Sequence, residues 1–461
     1  MTTLSIPSVL AVALLGSAAT CEGSPNIGDP ADSALQRALN QRLSGDRTRA
    51  CIAAAVVDVR VEHAIACADT QRARSLDAST PFEIGSISKT MTAFLMSSLI
   101  EEGVMDLEDP LAAHLPAELA VPDYMGEVIR LKHLVTHTSG LPPLPPKMPL
   151  TDPSNPYADL DESFVLASLA DVQLASAPGK TWQYSNYGFM LLSHIVAQRA
   201  RERFESLLEQ RLFEPLMMTH SFTSKAPAGV EVAQPHLSSG TPTSAWDFPG
   251  SLAGIGGVRS SLEDMTRYVQ AVLGRGDAAV TERLAFTLEP LPLAHGEPVM
   301  GMGWVRLTVE GRELIVHDGG TGGSSSLVIV EPGRGRGVVL LVDTAWSNLG
   351  GLPELALHLL DPGAFPAPPP RVVAQPSTEL VAALDGDYRI GDVSVQLAAR
   401  DGVLYATEAD QPEVALGFDS YGDFFPLADV EGLLRPVRLP DGRYSFDWLQ
   451  GGSPMRAERL R

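Results

Sequence analysis

The stretch FEIGSISKTMTAFLMSSLIEEG, Phe82–Gly103, decides how the rest of the chain is interpreted. Its apolar residues predict a buried helix that ends at Gly103, yet Ser86 and Lys89 stand together where that helix begins. Backbone N–H groups are unpaired at a helix N-terminus, and positions i and i+3 share a face, so the amine can reach the hydroxyl. A structural helix needs neither residue. A lysine that loses its proton through burial can serve as the base for a nucleophilic serine.

The S-x-x-K spacing alone often arises by chance, so two further segments have to be weighed with it. Tyr184-Ser185-Asn186 comes directly before a strongly apolar helix, where Ser185 or Asn186 could simply be the N-cap. VHDGGTGGSSS, Val316–Ser326, stands between two predicted strands and, taken singly, is a glycine-rich turn with a histidine. Neither segment indicates a functional site by itself.

Together, in this order and spacing, the three segments resemble the penicillin-recognising serine hydrolases. That family includes class C β-lactamases, D-alanyl-D-alanine carboxypeptidases, D-aminopeptidases and related esterases. The resemblance covers roughly residues 34–360 and rests on the motifs S-x-x-K, Y-x-N and [K/H]-x-G, with the supporting phrases LKHLVTHTSGLP, FEPLMMTHSF and AGIGGVRSSLEDMTRY.

The resemblance implies an α+β protein with the β-lactamase/transpeptidase-like fold, in which an antiparallel sheet is flanked by helices and joined by a helical subdomain. It also implies a serine hydrolase that needs no cofactor. The substrate would be a small molecule or peptide: a β-lactam, a D-amino-acid peptide or an ester.

Residue by residue, the resemblance makes Ser86 the acylated nucleophile and Lys89 its proton partner. Tyr184 would move protons between Ser86 and the leaving group, with its pKa lowered by the neighbouring lysine. Asn186 would orient Lys89 and hydrogen-bond the substrate amide. The physical logic agrees, since an activated hydroxyl, a nearby base and convergent backbone donors suit acyl transfer.

The third motif would form the opposite wall of the cleft. His317 and Gly319 would line that wall on an edge strand, and the backbone N–H groups of Ser86 and Gly320 would form the oxyanion hole. β-Lactamases of the family have lysine and threonine where this chain has His317 and Asp318. A permanent cation is thus replaced by a group charged only part of the time at neutral pH, and a hydroxyl by an acid. If Asp318 faces the cleft, an ester or a substrate with a free amine is favoured over a carboxylate; if it points away, this does not follow.

The segment CIAAAVVDVRVEHAIAC predicts a hairpin of two strands. If Val57 pairs with Val61 across a three-residue loop, Cys51 falls directly opposite Cys67. Cross-strand partners lie within disulfide reach, so we expect a Cys51–Cys67 bridge, which is typical of exported proteins.

The order of predicted elements places two strands early, helices in the middle and strands late. SALQRALNQRL predicts a helix before the hairpin, and the pattern is mainly helical from Ser86 to about Phe286. GWVRLTV, ELIVHD, SSLVIVE and GVVLLVD then predict an antiparallel meander, and LPELALHLLD a closing helix. The simplest packing unites the hairpin and the meander in one sheet covered by the helices, with a ligand cleft between the layers. The proline-rich TSGLPPLPPKMPLTDPSNP is predicted to be a wall or lid over that cleft.

Domain boundaries follow from composition. We expect a serine hydrolase domain at 34–362, a proline-rich linker without regular structure at 363–378, and a small all-β domain at 379–461. Short alternating strands with Asp-Gly turns at 401–402 and 441–442 predict a small barrel or sandwich. We see no catalytic cluster in that domain.

The N-terminus and the charge concern location and partners. LSIPSVLAVALLGSAATC holds an apolar run of signal-peptide length, so residues 1–21 are predicted to direct export to the periplasm or outside the cell, although MTTLSIPS lacks the usual basic residues. SAATC leaves two outcomes open: lipidation of Cys21, which would attach the protein to a membrane, or cleavage near Ala19. A formal net charge of −22 argues against nucleic acid as a partner.

The sequence disfavours three other functions. An α/β-hydrolase is disfavoured because no G-x-S-x-G follows a strand. A metal site at His133 and His137 is disfavoured because no H-E-x-x-H pattern is present, so these histidines are interpreted as structural. A catalytically inactive β-lactamase-fold binding or scaffold protein is disfavoured because all three motifs are intact.

Overall fold

A computed structural model describes residues 33–69, 76–223, 226–237, 239–291, 298–345, 351–408, 411–428, 432–449 and 454–460. The predicted signal peptide at 1–21 and Cys21 lie outside the described residues.

The first domain is built on an antiparallel sheet in the order β2-β1-β11-β10-β9-β8-β7. β1 pairs with β11, which confirms that the early hairpin and the late meander form one sheet. The strands are β1 Cys51–Val57, β2 Val61–Cys67, β7 Val299–Met300, β8 Val305–Val309, β9 Arg312–Gly320, β10 Ser325–Glu331 and β11 Arg336–Val342. Two short ribbons stand apart: β3 Pro81–Glu83 with β6 Arg259–Ser261, and β4 Asp123–Tyr124 with β5 Glu127–Val128.

The β1–β2 hairpin has the predicted register. Val57 pairs with Val61 and Cys51 with Cys67, and the two cysteines form a disulfide bond. The bridge closes the open end of the hairpin, at the edge of the sheet.

Helices cover both faces of this sheet. They are α1 Ala34–Leu43, α2 Ser88–Glu101, α3 Leu131–Val135, α4 Glu162–Ala167, α5 Asn186–Ala200, α6 Phe204–Leu208, α7 Leu262–Val272, α8 Ala278–Leu288 and α9 Leu352–Leu360. Side chains of β9 point alternately to the two faces of the sheet, and each face has its own hydrophobic core. Leu314 and Val316 pack with α1 and α9 on one face. Ile315 packs on the other face with the helical layer that contains α2 and α5. Helix α2, which begins inside the S-x-x-K motif, is therefore central, and its residues are buried from Ser88 to Leu99.

The second domain is an all-β unit that curls into a barrel. Its strands are β13 Gly386–Ile390, β14 Val393–Arg400, β15 Val403–Glu408, β16 Val414–Asp419, β17 Phe424–Pro426, β18 Leu433–Arg438, β19 Tyr444–Leu449, β20 Met455–Arg456 and β21 Glu458–Arg459. β20 pairs with β19 and β21 with β13, and only Ala457 separates β20 from β21. The last segment of chain therefore bridges the two ends of the sheet and closes it.

Two features near the linker differ from expectation. Val373–Ala374 forms a strand, β12, that pairs with β16, so the linker does contain regular structure. Thr378–Leu384 forms a helix, α10, whose Val381 and Leu384 pack into the core of the barrel. None of the helices among the described residues combines the length and hydropathy that a membrane span requires.

Candidate active site

Ser86 lies in a one-turn 3₁₀ helix, Gly85–Ile87, that runs directly into α2. Lys89 is fully buried, and its Nζ lies 2.8 Å from Ser86 Oγ and 2.6 Å from the carbonyl oxygen of Ile255. Burial lowers the pKa of Lys89 to about 7, an effect that the carboxylate of Asp318 partly opposes. At neutral pH a large fraction of Lys89 is thus an uncharged amine in contact with the serine hydroxyl.

The turn that contains Ser86 packs against the end of β9 without room for side chains. A Cβ on Gly85 would stand 2.6 Å from the backbone nitrogen of Gly320, and one on Gly319 would stand 2.0 Å from the carbonyl oxygen of Ile84. Glycine is needed at both positions, and Gly85 also has a φ of +50°. The backbone N–H groups of Ser86 and Gly320 consequently belong to two segments in direct contact, as an oxyanion hole requires.

Tyr184 approaches Ser86 from the other side of the cleft. Its hydroxyl lies within hydrogen-bonding reach of Ser86, and Lys89 Nζ is 5.1 Å from the centre of its ring. The expectation that lysine lowers the pKa of Tyr184 is wrong: burial raises that pKa, and the negative charge of Asp318 raises it further. Tyr184 is therefore a protonated phenol at neutral pH and can donate a proton.

The hydrogen bonds of the described residues include none between Asn186 and Lys89. Asn186 Nδ2 donates to Tyr157 Oη at 3.5 Å, while the two hydrogen bonds of Lys89 go to Ser86 and Ile255. Tyr157 stacks on Phe248 with ring centres 4.8 Å apart and meets Trp246 edge-on. The N-cap of α5 is the neighbouring Ser185, whose Oγ accepts from Gly188 N. Tyr157 directly follows the proline-rich segment, which ends at Pro156, and the aromatic cluster lies beside Asn186.

His317 is an uncharged group in this structure. Its Nδ1–H donates to the carbonyl oxygen of Asp318 at 2.7 Å, which leaves Nε2 as an acceptor. Burial and the proximity of Lys89 lower its pKa to about 3, so the expectation of a partial charge at neutral pH is wrong. Asp318 is half-buried, and burial raises its pKa to about 6.

The third motif was expected to lie on an edge strand, and only part of β9 has the open side of an edge strand. β8 pairs with β9 from Arg312 to Val316, so β9 has neighbours on both sides over that stretch. Pairing with β8 stops there, and the stretch from His317 to Gly320 has only β10 beside it in the described sheet. The open side of the strand coincides with the residues that meet Ser86.

The described residues contain no cluster of three or more histidine, cysteine or acidic side chains that could hold a metal ion. His133 Nδ1 instead accepts from the backbone N–H of Arg130 at the start of α3.

Comparisons with known proteins agree with this geometry. A family model described as Beta-lactamase matches residues 35–353, more than half of the chain. The chain belongs to the Beta-lactamase family. It is accordingly a serine hydrolase of that family.

Relatives within the Beta-lactamase family include two named enzymes of Escherichia coli (strain K12). The chain is 29% identical over 298 residues to D-alanyl-D-alanine-carboxypeptidase/endopeptidase AmpH, a match that covers 60% of this chain and 75% of AmpH. It is 29% identical over 343 residues to a protein named Beta-lactamase, with 62% and 84% covered. A Yersinia pestis crystal structure, described as a β-lactamase/D-alanine carboxypeptidase complexed with citrate, superposes with a TM-score of 0.58 at 22% identity and covers 71% of this chain and 99% of that one. This last likeness shows the fold alone.

Two residues at this Beta-lactamase-family site were missed or undervalued from sequence. Glu83 is buried and accepts hydrogen bonds from Trp246 N (2.7 Å), Thr321 Oγ1 (3.1 Å) and Ser324 Oγ (3.2 Å). It therefore ties β3 to the β9–β10 turn that follows Gly320. Its only sequence signal is its place three residues before Ser86.

The sequence indicates a structural role for His137. In the structure it lies against Tyr184, the residue to which the family resemblance assigns proton transfer. Its ring stacks on Tyr184 with centres 4.3 Å apart, and its Nδ1 accepts from Ser185 N at 3.1 Å. The residue has a φ of +56°, which histidine adopts more readily than bulky residues do. Its place in THTSGLP, a phrase already used for the family resemblance, was the available signal.

Proposed function

We propose that this protein is an exported hydrolase that cleaves an amide or ester through an acyl-enzyme on Ser86. The observation that carries the proposal is the fully buried Lys89, whose Nζ lies 2.8 Å from Ser86 Oγ and whose pKa is lowered to about 7. A neutral amine in that position accepts the serine proton as the hydroxyl attacks a carbonyl carbon.

Acylation then needs stabilisation of the oxyanion and a proton for the leaving group. The backbone N–H groups of Ser86 and Gly320 supply the first, since the two segments are in contact. Tyr184 supplies the second, because its raised pKa keeps it protonated and its hydroxyl reaches Ser86. Lys89 returns the proton to Tyr184, so the pair acts as one unit.

Deacylation reverses the roles of these groups. A water molecule takes the place of the leaving group, gives its proton to the Tyr184–Lys89 pair and attacks the acyl carbon. Ser86 Oγ leaves with a proton, and the free acid is released.

Export is supported by the Cys51–Cys67 disulfide, since such bridges persist in oxidising compartments. Experiment has to determine whether Cys21 is lipidated, whether the protein is periplasmic or secreted, and what its oligomeric state is.

The experiment is intact-mass spectrometry after incubation with a fluorescent penicillin, in parallel with hydrolysis of a p-nitrophenyl ester. Ser86→Ala should abolish both the covalent adduct and the ester turnover, and Lys89→Met should do nearly the same. Ser394→Ala and Lys180→Met are matched controls at exposed positions and should behave as wild type. Absence of any adduct and any turnover would favour an inactive binding protein of the same fold.

A further inference from the structure

Asp318 is a carboxylate that forms no ion pair with a cation among the described residues. It is half-buried, and apart from its own backbone N–H its side chain makes no hydrogen bond or ion pair there. Other buried aspartates of the chain are paired: Asp264 accepts from His220 N, Ser221 Oγ and Arg267 Nη1, and Asp423 binds Arg371 and Arg435. A charge that is partly buried is normally paired with an opposite charge. Because Asp318 has no ion pair among the described residues, we infer that the positive charge comes from a bound ligand.

Within the part of the chain that the structure describes, Lys89 is the cation whose charge acts on Asp318. Lys89 directs its Nζ to Ser86 and Ile255 and forms no ion pair with Asp318. Burial and the nearby Lys89 lower the pKa of His317, the adjacent residue, so its ring is uncharged while Nδ1–H donates to the Asp318 carbonyl. The Lys89 amine is engaged by Ser86 and Ile255 and His317 is uncharged, so neither is placed to bind a substrate carboxylate, whereas Asp318 offers an anion.

Asp318 lies next to the two segments that meet at Ser86. It stands on the strand whose Gly319 and Gly320 pack against the Ser86 turn, one residue before that contact. Its charge acts on both Lys89 and Tyr184. Tyr184 is the group that protonates the leaving group, so a charge on the leaving group would come close to Asp318.

We propose that Asp318 binds a positively charged group on the leaving-group side, so that the Ser86 site prefers ammonium-bearing substrates over neutral or carboxylate-bearing ones. This inference rests on the proposed function and deepens it by naming the substrate class.

A matched set of thioesters tests the preference. Acetylthiocholine, S-(3,3-dimethylbutyl) thioacetate and 3-(acetylthio)propanoate share the acetyl group and differ in a trimethylammonium, a neutral isostere and a carboxylate. In each, the Ser86 Oγ–acyl bond forms as the C–S bond breaks, the thiol leaves with a proton, and water then releases acetate. The released thiol is trapped with a chromogenic reagent, and the rate of its release gives kcat/KM for each substrate. We expect kcat/KM for acetylthiocholine to be roughly tenfold higher than for the neutral isostere, because one charge pair in a partly solvated cleft has an effect of that size. The substrate with the carboxylate should have the lowest kcat/KM.

Asp318→Asn should bring the ratio of cationic to neutral substrate close to one. Asp392→Asn, at an exposed turn of the barrel, is the matched control and should keep the wild-type ratio. A wild-type ratio of one or less, or a ratio that survives in Asp318→Asn, would overturn the inference while leaving the hydrolase intact. If Ser86→Ala does not abolish cleavage of the neutral thioester, or none of the three is cleaved, the proposed function itself falls and the inference with it.

Discussion

Lys89 has a fully buried amine whose two hydrogen bonds go to Ser86 and Ile255, and this environment decides when it can act as a base. Burial disfavours the ammonium form, so its pKa falls from 10.5 to about 7. Below that pH the amine is protonated and cannot accept the serine proton; above it the amine is free.

We therefore expect kcat/KM for a neutral p-nitrophenyl ester to rise with pH through an acidic limb at about 7. Asp318 raises the pKa of Lys89, so Asp318→Asn should move this limb to lower pH. Steady-state pH profiles of the two proteins measure the shift, and Asp392→Asn provides the unshifted control. A limb that stays in place in Asp318→Asn would contradict the electrostatic coupling.

Single residues also show where sequence reasoning fails. The direction of the Lys89 shift could be predicted from its place at the start of an apolar helix. The direction of the pKa shift of Tyr184 could not be predicted. It depends on how deeply the ring is buried and on the charge of Asp318, which is distant in sequence. The partner of Lys89 was missed for a similar reason: the Ile255 carbonyl is a backbone group that leaves no mark in the sequence.

At the scale of elements, Glu83 joins three segments that must keep their relative positions. It connects β3, which leads into the Ser86 turn, with the Trp246 loop and with the turn between β9 and β10. Glu83→Ala leaves the buried hydroxyls of Thr321 and Ser324 and the partly buried Trp246 N–H without this acceptor, at about 1–3 kcal/mol for each buried donor. Because Gly320 stands at the start of that turn, we expect kcat to fall by up to about 100-fold with a much smaller change in KM.

Glu83→Gln keeps one acceptor oxygen, and the hydroxyls of Thr321 and Ser324 can rotate to accept from its amide. This variant should recover most of kcat, whereas Glu282→Ala, at an exposed position on α8, should not change it. Steady-state kinetics separate kcat from KM. A parallel loss of both in Glu83→Ala, not relieved by glutamine, would indicate general destabilisation.

The sheet of the first domain could be predicted because local signals agree with it. The three-residue loop fixes the register of the β1–β2 hairpin, and alternating apolar strands indicate the meander. The open side of β9 beyond Val316 could not be predicted, since it depends on where β8 stops pairing. β12 was also missed, because Val373–Ala374 is extended only by virtue of its partner β16.

At the scale of the whole molecule, a buried cluster of charges joins the two domains. Arg371, in the linker, is fully buried and binds Asp419 (3.3 Å) and Asp423 (2.7 Å) of the barrel. Its backbone N–H also donates to Asp46 of the first domain, and Arg47 of that domain reaches Asp419 at 2.8 Å. The linker is thus a fixed part of the interface, and we expect the barrel to unfold together with the hydrolase domain.

Arg371→Met tests this coupling. It removes the guanidinium and leaves Asp419 and Asp423 buried with fewer partners, a change that costs about 3–5 kcal/mol in typical buried pairs. Differential scanning calorimetry should show a lower Tm, and separation into two transitions if the barrel is released. Arg389→Met removes an exposed ion pair with Glu458 in the same barrel and should change the Tm little, because solvent already screens that pair. Equal losses in the two variants would show that the buried cluster adds nothing to the coupling, and a single unchanged transition in Arg371→Met would show that apolar contacts alone hold the domains together.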